Sequence, residues 1–234
     1  MTKGKDQPEP KEMLLALLAG KGGMKQDVYA RARECFALLR EQLKDLAGEV
    51  GGAIALRDQR LKVEYAEQGE LSSKVVMAGD TVAFIMHTNV FRLDQSNALW
   101  KSSYLQEDEN RGYFGVVNIY NFLSDSFRYD RERDLGYLVA RLFINKQGHF
   151  FVQGKKQLGF LYNDLPGAML DGGTMRAFLI SVLLYVLDFD LLAPPYDQVS
   201  QVTVEEMKQL ESYSMVSTGK RLGFRFQADT DDVS

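Results

Sequence analysis

The spacing of apolar side chains divides the chain into stretches of two different periods. Over residues 26–47, Phe36, Leu39, Leu43 and Leu46 recur at intervals of three and four while Arg33, Arg40, Glu41 and Lys44 lie mostly elsewhere around the cylinder. That is the pattern of an amphipathic helix with one stripe to bury. Ahead of it, Pro10 suits a first helical turn, where its missing N–H costs no intrahelical bond, and residues 11–19 are strong helix formers running up to Gly20-Lys21-Gly22-Gly23. A short separate helix is predicted there. Gly48, Gly51 and Gly52 mark the exit from the longer one.

Beyond the glycines the period drops to two. Leu61, Val63 and Tyr65 alternate with Lys62 and Glu64, as a half-buried strand requires. Residues 74–77, the turn-like Ala78-Gly79-Asp80 and the long apolar stretch 81–93 read as a hairpin, and the polar residues 94–111 as helix or loop. A third β block covers residues 113–122, 135–144 and 149–155, with Asn145-Lys146-Gln147-Gly148 between the last two. This loop suits a type I turn closed by a left-handed glycine, which sets a register. Ile144 then faces Phe150, Leu142 faces Val152 and Ala140 faces Gly154, a core-forming side.

Asp171 or Thr174 can cap an apolar helix over residues 175–187, which carries apolar side chains on every side and is expected in the interior. Ala193-Pro194-Pro195 is a stop signal for the stretch after it. Thr203 and Glu206 have capping-box spacing at the head of a further helix, and Leu222, Phe224 and Phe226 alternate in a last strand. Strands that come in runs joined by hairpins predict an α+β fold. Its largely antiparallel β-sheet is built from hairpins, with N-terminal and C-terminal helices packed on it. The predicted organisation is a flexible leader (1–9), a single α+β domain (10–227) and an acidic flexible tail (228–234).

Composition narrows the classes of function. A hydrophobic fraction of 45% supplies a core, and 28 basic against 32 acidic residues give a net charge of -4, with no overall attraction to nucleic acid or to an anionic membrane. The lone Cys35 permits neither an internal disulfide nor a four-cysteine zinc site. The first ten residues lack the features of a secretory signal. The longest apolar run, residues 177–187, falls short of the roughly 20 residues needed to span a bilayer. A cytoplasmic protein without a membrane span, metal or cofactor is the expectation.

Few residues carry chemical promise. Gly20-Lys21-Gly22-Gly23 lacks the Gly-Lys-Ser/Thr ending of a phosphate loop and reads as a helix break. His87 and His149 have no histidine or cysteine at local chelating spacing, and Cys35 reads as a small buried hydrophobe. Asp130-Arg131-Glu132-Arg133-Asp134 reads as surface ion pairs. The second face of the inferred hairpin is more specific. There Val139, Arg141, Phe143 and Asn145 oppose Lys155, Gln153, Phe151 and His149 respectively. Residues 128–156 hold seven basic and three acidic side chains, opposite in sign to the whole chain.

Arg141, Gln153 and Lys155, with His149 at the turn, are the candidate donors to an anion, and Phe143 and Phe151 its apolar platform. The competing reading makes this a covered structural face with Phe143 and Phe151 in a core. The leading expectation is a non-enzymatic binding or regulatory protein recognising an anionic small molecule or an acidic protein segment. The alternative is a metal-dependent hydrolase or nuclease-like enzyme acting on a phosphate-containing substrate. It rests on Asp134 approaching Gln153 and Lys155, in a pattern that lacks the usual second acidic ligand. Self-association into a homo-oligomer is expected through the helix over residues 26–47.

Overall fold

The computed structural model describes residues 9–155, 157–189, 195–205, 207 and 208. Its first feature is a helical stretch formed by α1 (Pro10–Leu17), a π turn (Leu18–Gly22) and α2 (Gly23–Ala55). Gly20 and Gly22 lie in the π turn that follows the short first helix, so the break there is a change of helical pitch, whereas Gly48, Gly51 and Gly52, expected to end the second helix, do not end it. Glycine in a helix interior costs about 1 kcal/mol relative to alanine. Beyond the stripe that α2 buries, from Val28 to Ala47, the helix continues past Gly51, which lies against the backbone of Val63. Phe36, Leu39, Leu43 and Leu46 all lie inside the chain's own core.

Seven strands form one antiparallel sheet: β1 (Val63–Glu67), β2 (Ser72–Met77), β3 (Asp80–Met86), β4 (Phe91–Arg92), β5 (Tyr113–Leu123), β6 (Tyr137–Asn145) and β7 (Phe150–Gly154). The order is β1-β2-β3-β5-β6-β7, with β4 continuing beside β5 past the end of β3. The stretch expected as one long strand over residues 81–93 is therefore two. The chain turns at His87, whose Nδ1 accepts from the Asn89 N–H at 3.0 Å, and rejoins β5 where Phe91 pairs Phe114.

The shorter helices are α3 (Ser103–Glu107), α4 (Ser124–Arg128), α5 (Gln157–Leu161) and α7 (Tyr196–Val199), and the second substantial one after α2 is α6 (Gly172–Leu187). Asp171 caps α6 by accepting from the Thr174 N–H at 2.7 Å, as the sequence pattern predicts. Farther on, the Met207 N–H donates to the Thr203 carbonyl at 2.9 Å, consistent with a helix starting there. The expected strand at Leu222, Phe224 and Phe226 and the acidic tail lie outside the described residues, as do leader residues 1–8.

Both α2 and α6 pack on one face of the sheet, joining Val75, Val82, Phe84, Val117, Leu142 and Phe150 in the main core. Contact is close enough at β5 that a Cβ built on Gly115 would stand 2.3 Å from the Ala32 Cβ. In α6, Met175, Phe178, Leu179, Val182, Leu183 and Val186 are buried, but Ile180, Leu184 and Leu187 are exposed. The expectation of an interior helix is thus half right. In a two-layer fold one side of α6 meets α2 and the sheet, while the other has no layer over it among the described residues. On the opposite face of the sheet a smaller core joins Phe114 and Phe151 to Leu93, Leu105 and Leu165.

Candidate functional site

The β6–β7 hairpin has the register read from its turn: Arg141 pairs Gln153, Leu142 pairs Val152, Phe143 pairs Phe151 and Ile144 pairs Phe150. Gly148 takes φ +83°, which favours glycine, and its N–H donates to the Asn145 carbonyl at 3.0 Å. Asn145 Oδ1 accepts from the N–H groups of Gln147 and His149, at 3.0 and 3.1 Å, so one buried side chain organises the turn. Alternation then puts Arg141, Phe143, Phe151 and Gln153 on the face away from α2 and α6.

On that face the rings of Phe143 and Phe151 stack with centroids 4.5 Å apart, and Phe114 meets both edge-on. Residues 91–112 form a lobe over them. Its ties to the hairpin are Lys146 to Asp108 at 2.8 Å, Tyr104 to Gln147 at 2.7 Å and Asn145 to Tyr104 at 2.8 Å. The Lys146 ammonium holds the Asp108 carboxyl below its usual pKa.

Between lobe and hairpin lies a cleft of about 690 Å³. Arg92, Asp94, Asn97 and Ser102 stand on the lobe side, Arg141, Phe143, Phe151 and Gln153 on the hairpin side, and Gly159 and Asn163 also line it. Asp94 accepts from the Ser96 hydroxyl and N–H, which keeps its pKa low and its carboxylate charged. Arg92 lies over the Trp100 and Tyr113 rings and reaches Glu109 at 3.2 Å.

Arg141 is unlike the other half-buried arginines of the described residues. Arg31, Arg40, Arg111, Arg131 and Arg176 each hold a carboxylate, at 2.5 to 2.9 Å. Among the described residues Arg141 has no such partner; its Nε is withdrawn from solvent without a hydrogen bond, which it shares with Arg40 and Arg111, so the missing carboxylate is what sets it apart. Its cross-strand neighbours are Gln153 on one side and Asn118 on the other, neither of which can neutralise it.

Four of the six candidate residues read from the sequence therefore line one cleft: Arg141, Phe143, Phe151 and Gln153. Lys155 is exposed, lies beyond the last ladder pair and is not part of the lining. His149 is also outside the lining. Its ring lies 4.9 Å from that of Tyr104 and its Nδ1 is 3.0 Å from the Leu165 carbonyl oxygen, so it helps hold the turn. Val139, expected beside Arg141, is instead buried in the main core, because the pairing of β5 with β6 shifts register at Ile119 and Tyr120. The competing reading of this face is right about Phe151, which is 6% exposed in the smaller core, yet that core leaves a cleft over the same rings.

The lobe side of the cleft was missed by sequence reasoning. Arg92, Asp94, Asn97 and Ser102 sit in short turns without a sustained period, so no local signal aims them at the hairpin. Asp134, the acid of the hydrolase alternative, accepts from Ser126 Oγ at 2.7 Å and pairs with Arg131, and it does not line the cleft with Gln153. Among the described residues no three His, Cys, Asp or Glu side chains are grouped to hold a metal ion. Burial pushes the Cys35 thiol pKa up, which disfavours the thiolate. Nor is any helix among the described residues long and apolar enough to cross a membrane. No family model matches the chain, and no curated protein or solved structure matches it.

Proposed function

We propose that this chain is an intracellular, non-enzymatic binding protein whose cleft takes an anionic ligand against Arg141. The observation that carries the reading is the missing ion pair: every other half-buried arginine described is paired with a carboxylate of the chain itself, whereas Arg141 is not, and Asp94, the carboxylate of the cleft, is held by the Ser96 hydroxyl and N–H. A guanidinium removed from bulk water needs a partner, and a carboxylate or phosphate brought by a ligand supplies it through charge-assisted hydrogen bonds. Phe143 and Phe151 exclude water beside it, while Gln153, Asn97 and Asn163 offer amide groups to orient the rest of the ligand. A volume of about 690 Å³ falls within the range of small-molecule sites and also admits an acidic side chain on a partner segment. The single buried cysteine fits a reducing, cytoplasmic setting.

The test is a thermal-shift survey of carboxylates, phosphates and nucleotides, followed by calorimetry of any hit at several salt concentrations. Affinity should fall as salt rises, and Arg141→Glu should abolish binding. Lys155→Glu, at an exposed position outside the cleft, should change only the salt dependence. A folded Arg141→Glu protein that binds the hit with unchanged affinity places the site elsewhere.

A further inference from the structure

Two apolar helical surfaces of this chain have nothing packed on them among the described residues. One is α1 with its π turn: no residue in either is buried, and Met13, Leu14, Leu15, Leu17 and Leu18 are 51 to 61% exposed. The other is the outer side of α6, where Ala177, Ile180, Leu184 and Leu187 follow one another at intervals of three, four and three, the last three being 39, 61 and 54% exposed. We propose that α1 of one copy docks on the α6 stripe of a second copy, reciprocally, making a two-fold dimer.

The reach of the chain keeps α1 off the α6 stripe of its own copy, so a contact between the two needs a second copy. The stripe lies beside the C-terminal half of α2, since Gly172 sits next to Gln42 and Arg176 holds Glu49. Leu17 precedes Gln42 by 25 residues of helical chain, roughly 37 Å at the helical rise. Even if the chain bent at Gly20-Lys21-Gly22-Gly23, α1 is about 12 Å long and would fold back only over the first turns of α2. Within one copy the two surfaces never meet. Around a two-fold axis each meets its counterpart on the other copy, and the contact closes on itself.

The surfaces also suit each other. Intervals of three, four and three form the seam that accepts a second helix, and Leu14 and Leu17 on α1, with Leu18 at the start of the π turn, stand three and four residues apart. Exposed apolar patches on the order of several hundred Å² mark interaction sites on a monomer. Two reciprocal contacts of that size bury on the order of 1,000 Å² or more, which a specific interface must clear. Dimerisation uses the helical side of the sheet and leaves the Arg141 cleft, on the other side, open.

Light scattering on the full chain at tens of micromolar should give twice 26.5 kDa. Leu14→Lys combined with Leu17→Lys, and separately Leu184→Lys, should each return a 26.5 kDa species with unchanged circular dichroism, because none of these side chains is buried. Cys35, the only cysteine, is buried, so introduced thiols report contacts cleanly. A mixture of Leu17→Cys and Leu184→Cys proteins should give a disulfide-linked pair on oxidation. A monomeric parent chain overturns the proposal and points to another occupant for both surfaces. So does a dimer that survives Leu184→Lys, or a Leu17→Cys protein that links only to itself.

Discussion

Replacing Arg141 with methionine separates a ligand-binding arginine from a structural one by the sign of the stability change. The variant keeps an unbranched side chain of similar length over the sheet and removes a guanidinium that has no carboxylate and whose Nε is buried without a partner. An orphaned buried donor costs about 1–3 kcal/mol. Allowing for imperfect repacking by methionine, the ligand-free protein should gain about 1 kcal/mol. For a chain of 150–250 residues that corresponds to a rise in Tm of about 2–4 °C. Arg111→Met is the control, because the Arg111 Nε is likewise buried without a hydrogen bond and the two arginines differ in that Arg111 holds a carboxylate. Arg111 donates to the Tyr104 carbonyl at 2.8 Å and to Glu107 at 2.9 Å, and its guanidinium lies 4.4 Å from the centre of the Tyr104 ring. Its loss should lower stability by about 1–3 kcal/mol. Urea denaturation and thermal circular dichroism on both variants measure the two signs. If Arg141→Met lowers Tm by as much as Arg111→Met, Arg141 is holding the fold together and its missing carboxylate is no mark of a ligand site.

Neighbouring positions on α6 should respond oppositely to the same charge. Leu183→Asp puts a carboxylate at a position 8% exposed and should cost more than about 4 kcal/mol, whereas Leu184→Asp, at 61% exposed, should stay within about 0.5 kcal/mol in the monomer, as urea titration at low protein concentration would show. Burial pushes the Tyr137 phenol up to about 12. A raised folded value means stability fully present below the unfolded value near 10 and lost as pH rises from about 10 to about 12. Tyr137→Phe loses the acceptor of the Asn121 amide, at about 1 kcal/mol near neutral pH, and should flatten that alkaline decline in a pH series of melting curves.

What the sequence alone determined is what neighbouring residues can decide. The buried stripe of α2 follows from spacings of three and four, and the β6–β7 register follows from Asn145 and Gly148 at the two ends of one tight turn, because a turn type leaves few ways to pair the strands it joins. Placing Arg141, Phe143, Phe151 and Gln153 on one face needed only that register and the alternation of a strand.

Tertiary structure decided the remainder. The glycines at 48, 51 and 52 look like a helix end until the packing of α2 on the sheet outweighs their conformational preference. Val139 goes to the main core because the pairing of β5 with β6 shifts register, which depends on both strands at once. The apolar composition of α6 is silent on which side is covered, since that depends on where α2 and the sheet lie. The cleft itself is made by apposing residues 91–112 and 141–163, distant along the chain, and that Arg141 pairs with no carboxylate among the described residues follows only from how those segments pack. Periodicity and turn chemistry act over a few residues, whereas cavities and unpaired charges arise from packing between segments far apart in sequence.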